Sequence, residues 1–241
     1  MTTAAVIIIG NEILSGKFAD ENGPYAIRRL RELGVDLERM VVIPDTPEVI
    51  AAEVSLASQR FDWVFTSGGV GPTHDDVTLE SVAAGLGESL VLHPDLLALL
   101  DGFGIERTPS SLRMARVPES TRLIKGNERG FPVVLAQNVA VLPGVPRLFR
   151  SKFEQLAPML EGTPRQTARL YTSERETDIA ARLSGVVADY PAVVVGSYPR
   201  FGEGEYRVIV TVESRDLGQF EAALESLANA LTLTAPIARD L

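Results

Sequence analysis

No cysteine occurs among the 241 residues, so disulfides, thiolate zinc sites and a cysteine nucleophile are all excluded. Positive charge is also in short supply. The 23 Lys and Arg residues stand against 32 Asp and Glu, a formal net charge of −9, which disfavours nonspecific binding to nucleic acid, whose phosphates demand clustered basic side chains. An anionic ligand would need local help from backbone amides, a few arginines or a metal. No apolar run is long enough to cross a bilayer, and the N-terminus lacks the basic start and long apolar core of a signal peptide. A cytoplasmic protein without a membrane partner is therefore expected. Internal repeats and low-complexity tracts are missing too. The length suits one large α/β domain, or a typical domain followed by a small one.

What is present concentrates in Thr66-Ser67-Gly68-Gly69-Val70-Gly71-Pro72-Thr73-His74-Asp75-Asp76-Val77-Thr78. Three glycines and two adjacent carboxylates follow directly on the apolar run Trp63-Val64-Phe65. Glycine has no Cβ, so such a loop can take positive φ angles and bring its backbone N–H groups against a phosphate or another polar ligand. Asp75 and Asp76 are candidates to hold a divalent cation, and Thr78 to cap a helix beginning at Leu79. A purely structural turn is the competing reading. It has no use for two neighbouring acids that must both stay hydrated or find partners.

The pattern along the chain is that of a parallel sheet. Ala4 to Ile9 reads as a strand buried on both faces, ended by Gly10. A helix over 22–33 stops at Gly34, a strand covers 35–43, a second helix over 46–58 has Thr46 as N-cap and Pro47 at its first position, and a third strand covers 61–65. This alternation implies right-handed crossovers and puts the glycine loop at the carboxyl end of a strand, where open α/β sheets bind ligands. Further helices are expected over 79–85, 94–103, 110–116 and 147–156, with strands at 89–92, 133–136 and 139–142, the last two forming a hairpin around Gln137-Asn138. The stretch 158–164 combines two prolines and a glycine and reads as a linker. Beyond it, a strand over 166–171, a helix over 174–187, strands over 192–197 and 205–213 and a helix over 217–231 make a small α+β unit with its own core.

Three ordered motifs span roughly the first 140 residues. They are Gly10-Asn11-Glu12-Ile13-Leu14-Ser15-Gly16 with Asp20 and Asn22, then Ser67 to Thr78, then Leu142-Pro143-Gly144-Val145-Pro146. Together they resemble the molybdopterin-binding (MoaB/Mog-type) domain of the competence/damage-inducible protein A (CinA) family. The segment Phe131-Pro132-Val133-Val134 with Gln137-Asn138-Val139 is similar to the molybdopterin-binding-like domain fused to eukaryotic FAD synthases. The resemblance implies an α/β fold: a three-layer α/β/α domain over 1–160 with a mostly parallel sheet, followed by a small α+β, KH-like domain over 165–241. It also implies that the nicotinamide-mononucleotide deamidase domain of full-length CinA and the adenylyltransferase domain of FAD synthase are absent here. Relatives commonly form dimers or trimers, so the resemblance implies a homo-oligomer.

In the cofactor-making relatives this domain binds molybdopterin and adenylates it, whereas CinA-type domains resemble metal-dependent pyrophosphatases acting on ADP-ribose, FAD and similar dinucleotides. Both activities need amides to cradle phosphate, carboxylates to position a cation, and a water or phosphate oriented for in-line attack. By resemblance, Ser67, Gly68, Gly69 and Gly71 form the phosphate or pterin cradle, with Gly10 and Thr73 beside it. Asp75 and Asp76 bind metal (Mg, Mn or Co) or activate water, and Glu12 and Asp20 are further acidic contributors to the metal. Asn22 hydrogen-bonds the ligand, while Gly144 and Val145 close the pocket with backbone groups. Acids from separate loops must then converge at the carboxyl edge of the sheet.

Each assignment has a plainer competitor. Glu12 reads equally as an exposed loop acid, Asp20 and Asn22 as caps of the first helix, and Asp76 as a helix-start acid favoured by the dipole. The 142–146 motif reads also as a helix-entry turn. His74, one of only two histidines, stands where CinA relatives often carry Lys, which removes a fixed positive charge at neutral pH. Arg113, Arg116 and Lys125 are the candidates to neutralise phosphate, and Tyr198-Pro199-Arg200-Phe201 reads as a hairpin tip in the second unit. That unit lacks a Gly-x-x-Gly loop set among basic residues, so no nucleic-acid partner is expected. The leading function is a divalent-cation-dependent nucleotide pyrophosphatase acting on ADP-ribose- or FAD-like substrates. The alternatives are a non-catalytic pterin- or nucleotide-binding module and adenylyl transfer to molybdopterin.

Overall fold

The computed structural model describes all residues other than 127–129, 203 and 241, and only the backbone of 240. The chain divides into two compact units, Met1–Gly162 and Thr163–Leu241.

In the first unit, strand β1 (Thr3–Ile9) is apolar on both faces: Ala5, Ile7 and Ile9 enter one core, and Ala4, Val6 and Ile8 enter another. Such a strand must be covered twice. The elements that follow are α1 (Asn11–Leu14), α2 (Asn22–Glu32), β2 (Asp36–Ile43), α3 (Pro47–Arg60), β3 (Trp63–Ser67), α4 (Thr78–Leu86), β4 (Leu90–Leu92), α5 (Pro94–Gly102), α6 (Pro109–Arg113), β5 (Arg116–Pro118), β6 (Arg122–Ile124), β7 (Val133–Ala136), β8 (Val139–Leu142) and α7 (Pro146–Leu156). Six strands form one sheet in the order β2-β1-β3-β8-β7-β6. β2, β1, β3 and β8 pair in parallel, and β7 and β6 join through antiparallel pairings. Ala26 and Leu30 of α2 with Phe149 and Phe153 of α7 cover one face. Ile50 and Val54 of α3, Val82 of α4 and Leu96 and Leu100 of α5 cover the other. This is a three-layer α/β/α domain. Because β2 and β3 lie on opposite sides of β1, the chain reverses direction across the sheet there, and the carboxyl ends of β1 and β3 flank a crevice.

The structure departs from the sequence expectation in a few places. Arg116, expected at the end of a helix, begins β5, which pairs with β4 in a separate two-stranded antiparallel sheet. The helix stops earlier because α6 is a single short turn set by Pro109 at its start and a capping box between Thr108 and Ser111. β6 was not expected, its three residues being too few to show a period. Thr78 does not cap α4 but is its first residue, buried, with its hydroxyl donating to the Gly68 carbonyl at 2.8 Å. The stretch expected as a linker begins with a 3₁₀ turn (Ala157–Met159) and packs on the first unit: a Cβ at Gly162 would lie 2.4 Å from the Gly34 backbone.

In the second unit, β9 (Gln166–Thr172), α8 (Glu176–Asp189), β10 (Val194–Pro199), β11 (Val208–Ser214), α9 (Leu217–Ala230) and β12 (Ala238–Asp240) form an antiparallel sheet in the order β10-β11-β9-β12. Ile179 and Val186 of α8 and Phe220 and Leu224 of α9 pack on the face presented by Leu170, Val210 and Val212. This βαββαβ order is the split βαβ arrangement. The short edge strand β12 was not expected, and with it the α+β unit takes this split βαβ form rather than a KH-like one. Among the described residues no helix is long and apolar enough to cross a membrane.

Phe153 is fully buried among Phe65, Phe149 and Tyr25, with ring centroids 4.9, 5.9 and 5.8 Å away. Phe153→Ala should cost about 3–5 kcal/mol in urea unfolding, read as a lower midpoint at unchanged slope. Beside this cluster the Tyr25 hydroxyl donates to Glu154, which Arg29 grips at 2.8 and 3.0 Å. Burial first, and then the bond to Glu154, push the Tyr25 phenol up to about 12. A phenol raised in the folded state stabilises fully below its ordinary value of about 10 and loses that contribution as pH rises through the folded value. The ultraviolet titration of wild type minus Tyr25→Phe should therefore show one phenol ionising near 12, and a transition at the ordinary value would contradict this environment.

Candidate ligand site

The carboxyl ends of β1, β3 and β8 reach one edge of the sheet, and glycine lets them approach. Gly68, just after β3, has φ +112°, and a Cβ there would sit 2.2 Å from the Ile9 carbonyl oxygen at the end of β1. Gly69 has φ +63°, and its Cβ would sit 2.4 Å from the Thr78 hydroxyl. No side chain fits at either position, and the Gly68 N–H is held by the Leu142 carbonyl at the end of β8 at 3.1 Å. Gly144, after β8, lies close enough to Gly68 that its Cβ would be 3.3 Å from the Gly68 Cα.

Asn22 ties these ends together. It is buried at the start of α2, and its Nδ2 donates to the Ser67 hydroxyl at 2.9 Å and to the Gly144 carbonyl at 2.7 Å. Its Oδ1 is buried and has no hydrogen-bond partner among the described residues. Helix capping falls to Asp20, whose Oδ1 accepts from the N–H groups of Asn22 at 2.9 Å and Gly23 at 3.1 Å. The plainer reading given above for Asp20 thus describes its contacts, and that for Asn22 does not.

Around this edge opens a cavity of about 960 Å³. Ser67, Gly68, Gly69, Gly71, Gly144 and Val145 line it, as do Glu12, Asp20, Asn22 and Asp76. Its apolar walls include Phe18, Phe131, Val134 and Leu148. Gly10 sits at the end of β1 with the Glu12 carboxylate folded over it, close enough that a Cβ at Gly10 would be 2.5 Å from Oε1. Lys152 also lines the cavity and was not singled out from the sequence. Leu148, Ser151 and Lys152 flank the Phe149 and Phe153 stripe of α7, so reading that helix as a face against the strand ends would have found them.

The aspartate doublet is divided. Asp76 faces the cavity, its Oδ2 accepting from the Thr73 N–H at 2.8 Å and contacting the Thr73 hydroxyl. Asp75 is exposed, with Oδ1 2.6 Å from that same hydroxyl, which has one proton and so serves one carboxylate at a time. The Thr73 hydroxyl, ahead of the loop backbone and the charges of His74 and Arg113, holds the Asp75 carboxyl below its ordinary value. His74 is itself almost fully exposed, 3.8 Å from Asp75. Arg113 donates to the Asp76 carbonyl at 3.1 Å and lies 3.6 Å from Glu80. Lys125 pairs with Asp95 at 3.2 Å and does not line this cavity.

The four acids expected to converge are therefore not gathered into one cluster. Asp20 is taken by helix amides, Glu12 folds over Gly10, and Asp75 points outward. Among the described residues no group of three or more His, Asp or Glu side chains is placed to hold a metal ion by itself. What fits is a cation shared between one or two carboxylates and the oxygens of a bound phosphate, the usual way of holding magnesium.

Residues 5–162 match the family described as "Probable molybdopterin binding domain". The chain belongs to this molybdopterin-binding-domain family. Residues 164–239 match a second family, "FAD synthase, middle domain". A crystal structure of the protein CinA with unknown function from Thermoplasma acidophilum is 32% identical, at a TM-score of 0.61, over 66% of this chain and 98% of that one, so the molybdopterin-binding domain here is CinA-like. An Archaeoglobus fulgidus protein is 31% identical over 94% of this chain and 96% of its own length. A "Probable FAD synthase" of Caenorhabditis briggsae is 31% identical over 95% of this chain, which spans 49% of that protein.

Gly68→Ala should lower the thermal midpoint by several degrees, because the backbone at Ile9 must yield to the new Cβ and the φ is strained as well, at roughly 1–3 kcal/mol or more. Gly102→Ala, in open space at the end of α5, should leave the midpoint unchanged or raise it slightly. Equal effects of the two substitutions in calorimetry would disprove the close approach.

Proposed function

We propose that this molybdopterin-binding-domain protein is a cation-assisted nucleotide pyrophosphatase that cleaves the diphosphate bridge of an ADP-ribose- or FAD-like substrate. One observation carries the reading: a nucleotide-sized cavity whose walls are largely apolar ends in the bare backbone of Gly68, Gly69 and Gly71 beside the inward-facing Asp76. Flat rings suit the apolar part, and phosphate oxygens suit unhindered amides. The match to the FAD synthase middle domain supports the same class of ligand.

In this scheme the amides of Gly69 and Gly71 receive the phosphate and hold it in place, the Gly68 N–H being spent on the Leu142 carbonyl at 3.1 Å. Asp76 and Glu12 would hold a divalent cation together with the phosphate oxygens, and the cation would neutralise developing charge on the phosphoryl group. Oδ2 of Asp76 is fixed by Thr73, while Oδ1 has no hydrogen bond among the described residues and is left to orient a water. The water oxygen bonds to phosphorus in line with the bridging oxygen, which leaves with the electron pair of the broken P–O bond, and the water's proton passes to the carboxylate. Asp75, whose carboxyl the Thr73 hydroxyl holds below its ordinary value, is the poorer proton acceptor and contributes charge instead.

A second reading, a module that binds a pterin or nucleotide without turning it over, is favoured by the absence of a three-acid cluster among the described residues. AMP release from ADP-ribose, FAD and NAD in Mg, Mn or Co, followed by chromatography, separates the two. Asp76→Asn should slow release by about 100-fold or more, and Asp75→Asn by much less, since only Asp76 faces the cavity. Release equal in wild type and the Asp75→Ala, Asp76→Ala double variant, with ligand still bound, would leave the binding module as the answer.

A further inference from the structure

Behind the glycine loop lies a second, smaller cavity of about 360 Å³. It shares the wall made by Val70, Gly71 and Asp76 with the larger one, and its far side carries Arg113 and Arg116. The geometry points to an anion subsite here, centred on Arg116, that takes the second phosphate of a diphosphate whose first phosphate rests on the glycine loop.

The two arginines play different parts. Arg113 is committed to the protein, donating to the Asp76 carbonyl and lying 3.6 Å from Glu80, so it fixes the loop and its charge is largely offset. Arg116 is exposed, and its side chain makes no hydrogen bond or ion pair among the described residues. A guanidinium presents its donors in a planar fork that matches two phosphate oxygens, which a lysine does not. Its position is set from both directions along the chain: α6 ends at Arg113, and Val117 and Pro118 bury β5 against β4. Leu90 and Pro109 supply the apolar sides. Two carboxylates line this cavity: Glu80 is set against Arg113 at 3.6 Å, and Asp76 on the shared wall opposes an anion on either side, so in a chain of net charge −9 the uncommitted Arg116 is the group that can offset it.

A consequence is that the site should discriminate by phosphate count. A monophosphate fills only the glycine loop, whereas a diphosphate also reaches past Asp76 to Arg116. The assignment of the ligand as a nucleotide rests on the function proposed above; the anion subsite itself does not.

The test uses the full chain, wild type and Arg116→Ala, with inorganic pyrophosphate, AMP and ADP-ribose as probes in titration calorimetry. Circular dichroism would verify an unchanged fold, and Arg116→Gln serves as a second variant should Arg116→Ala fold poorly. Pyrophosphate and ADP-ribose should each bind about ten-fold more weakly to the variant, with AMP within about two-fold of wild type, the loss of one charge-assisted contact. Pyrophosphate binding equally to both proteins, or to neither, would overturn the subsite, as would an equal loss for AMP and ADP-ribose. Arg116-dependent binding of pyrophosphate with no binding of any nucleotide would instead keep the subsite and reject the nucleotide reading.

Discussion

The two donors of the Asn22 side-chain amide hold the ligand edge of the first unit together. Bound to Ser67 after β3 and to Gly144 after β8, they join the start of α2 to two strand ends that are far apart in the chain. The Ser67 hydroxyl is buried, so losing the amide would leave it unpaired at a cost of roughly 1–3 kcal/mol. Asp20 belongs to the same device, because by capping α2 it presents Asn22 at the correct height. The close approaches of Gly68 to Ile9 and of Gly144 to Gly68 then follow from strand ends drawn into contact, and the cavity is the space they enclose.

Under the proposed function, that arrangement is how a chain carrying nine net negative charges would offer a place to an anion. The help would be local and come from the backbone amides beyond Gly68, and most of the acids are engaged elsewhere. Of the carboxylates that line the ligand space, Asp20 is spent on a helix terminus and Glu21 on Arg150, which leaves Asp76 and Glu12, while Asp75 lies at the surface against Thr73. A metal ion in such a place depends on the phosphate it accompanies, so cation and ligand would enter together. Thr78 contributes in the same economical way, its buried hydroxyl locking the carbonyl of Gly68 and thereby the shape of the loop.

Much of the fold was legible because the signals were local. A doubly apolar β1, helices stopped by glycine or started by proline, and the hairpin turn at Gln137-Asn138, where Gln137 takes φ +50°, are properties of short windows. The misses share a cause. β6 and β12 are too brief for periodicity, and β5 exists because β4 pairs with it, so their strand character comes from partners elsewhere in the chain. In the site, the loops and the glycines could be named from the sequence, but Lys152 stands out only once its amphipathic helix is laid against the strand ends.

By itself, then, the sequence determined the longer strands and helices, that two strand-end loops would carry glycines, and that carboxylates would stand near them, because these depend on residue type and spacing. Only the tertiary structure decided which acid faces inward. Asp75 and Asp76 are chemically identical neighbours, and their difference arises from how Thr73, Arg113 and the start of α4 orient the turn between them. The same holds for Asn22, which looked like a cap and is a clasp, since a hydrogen bond across 122 residues of chain leaves no trace in local pattern.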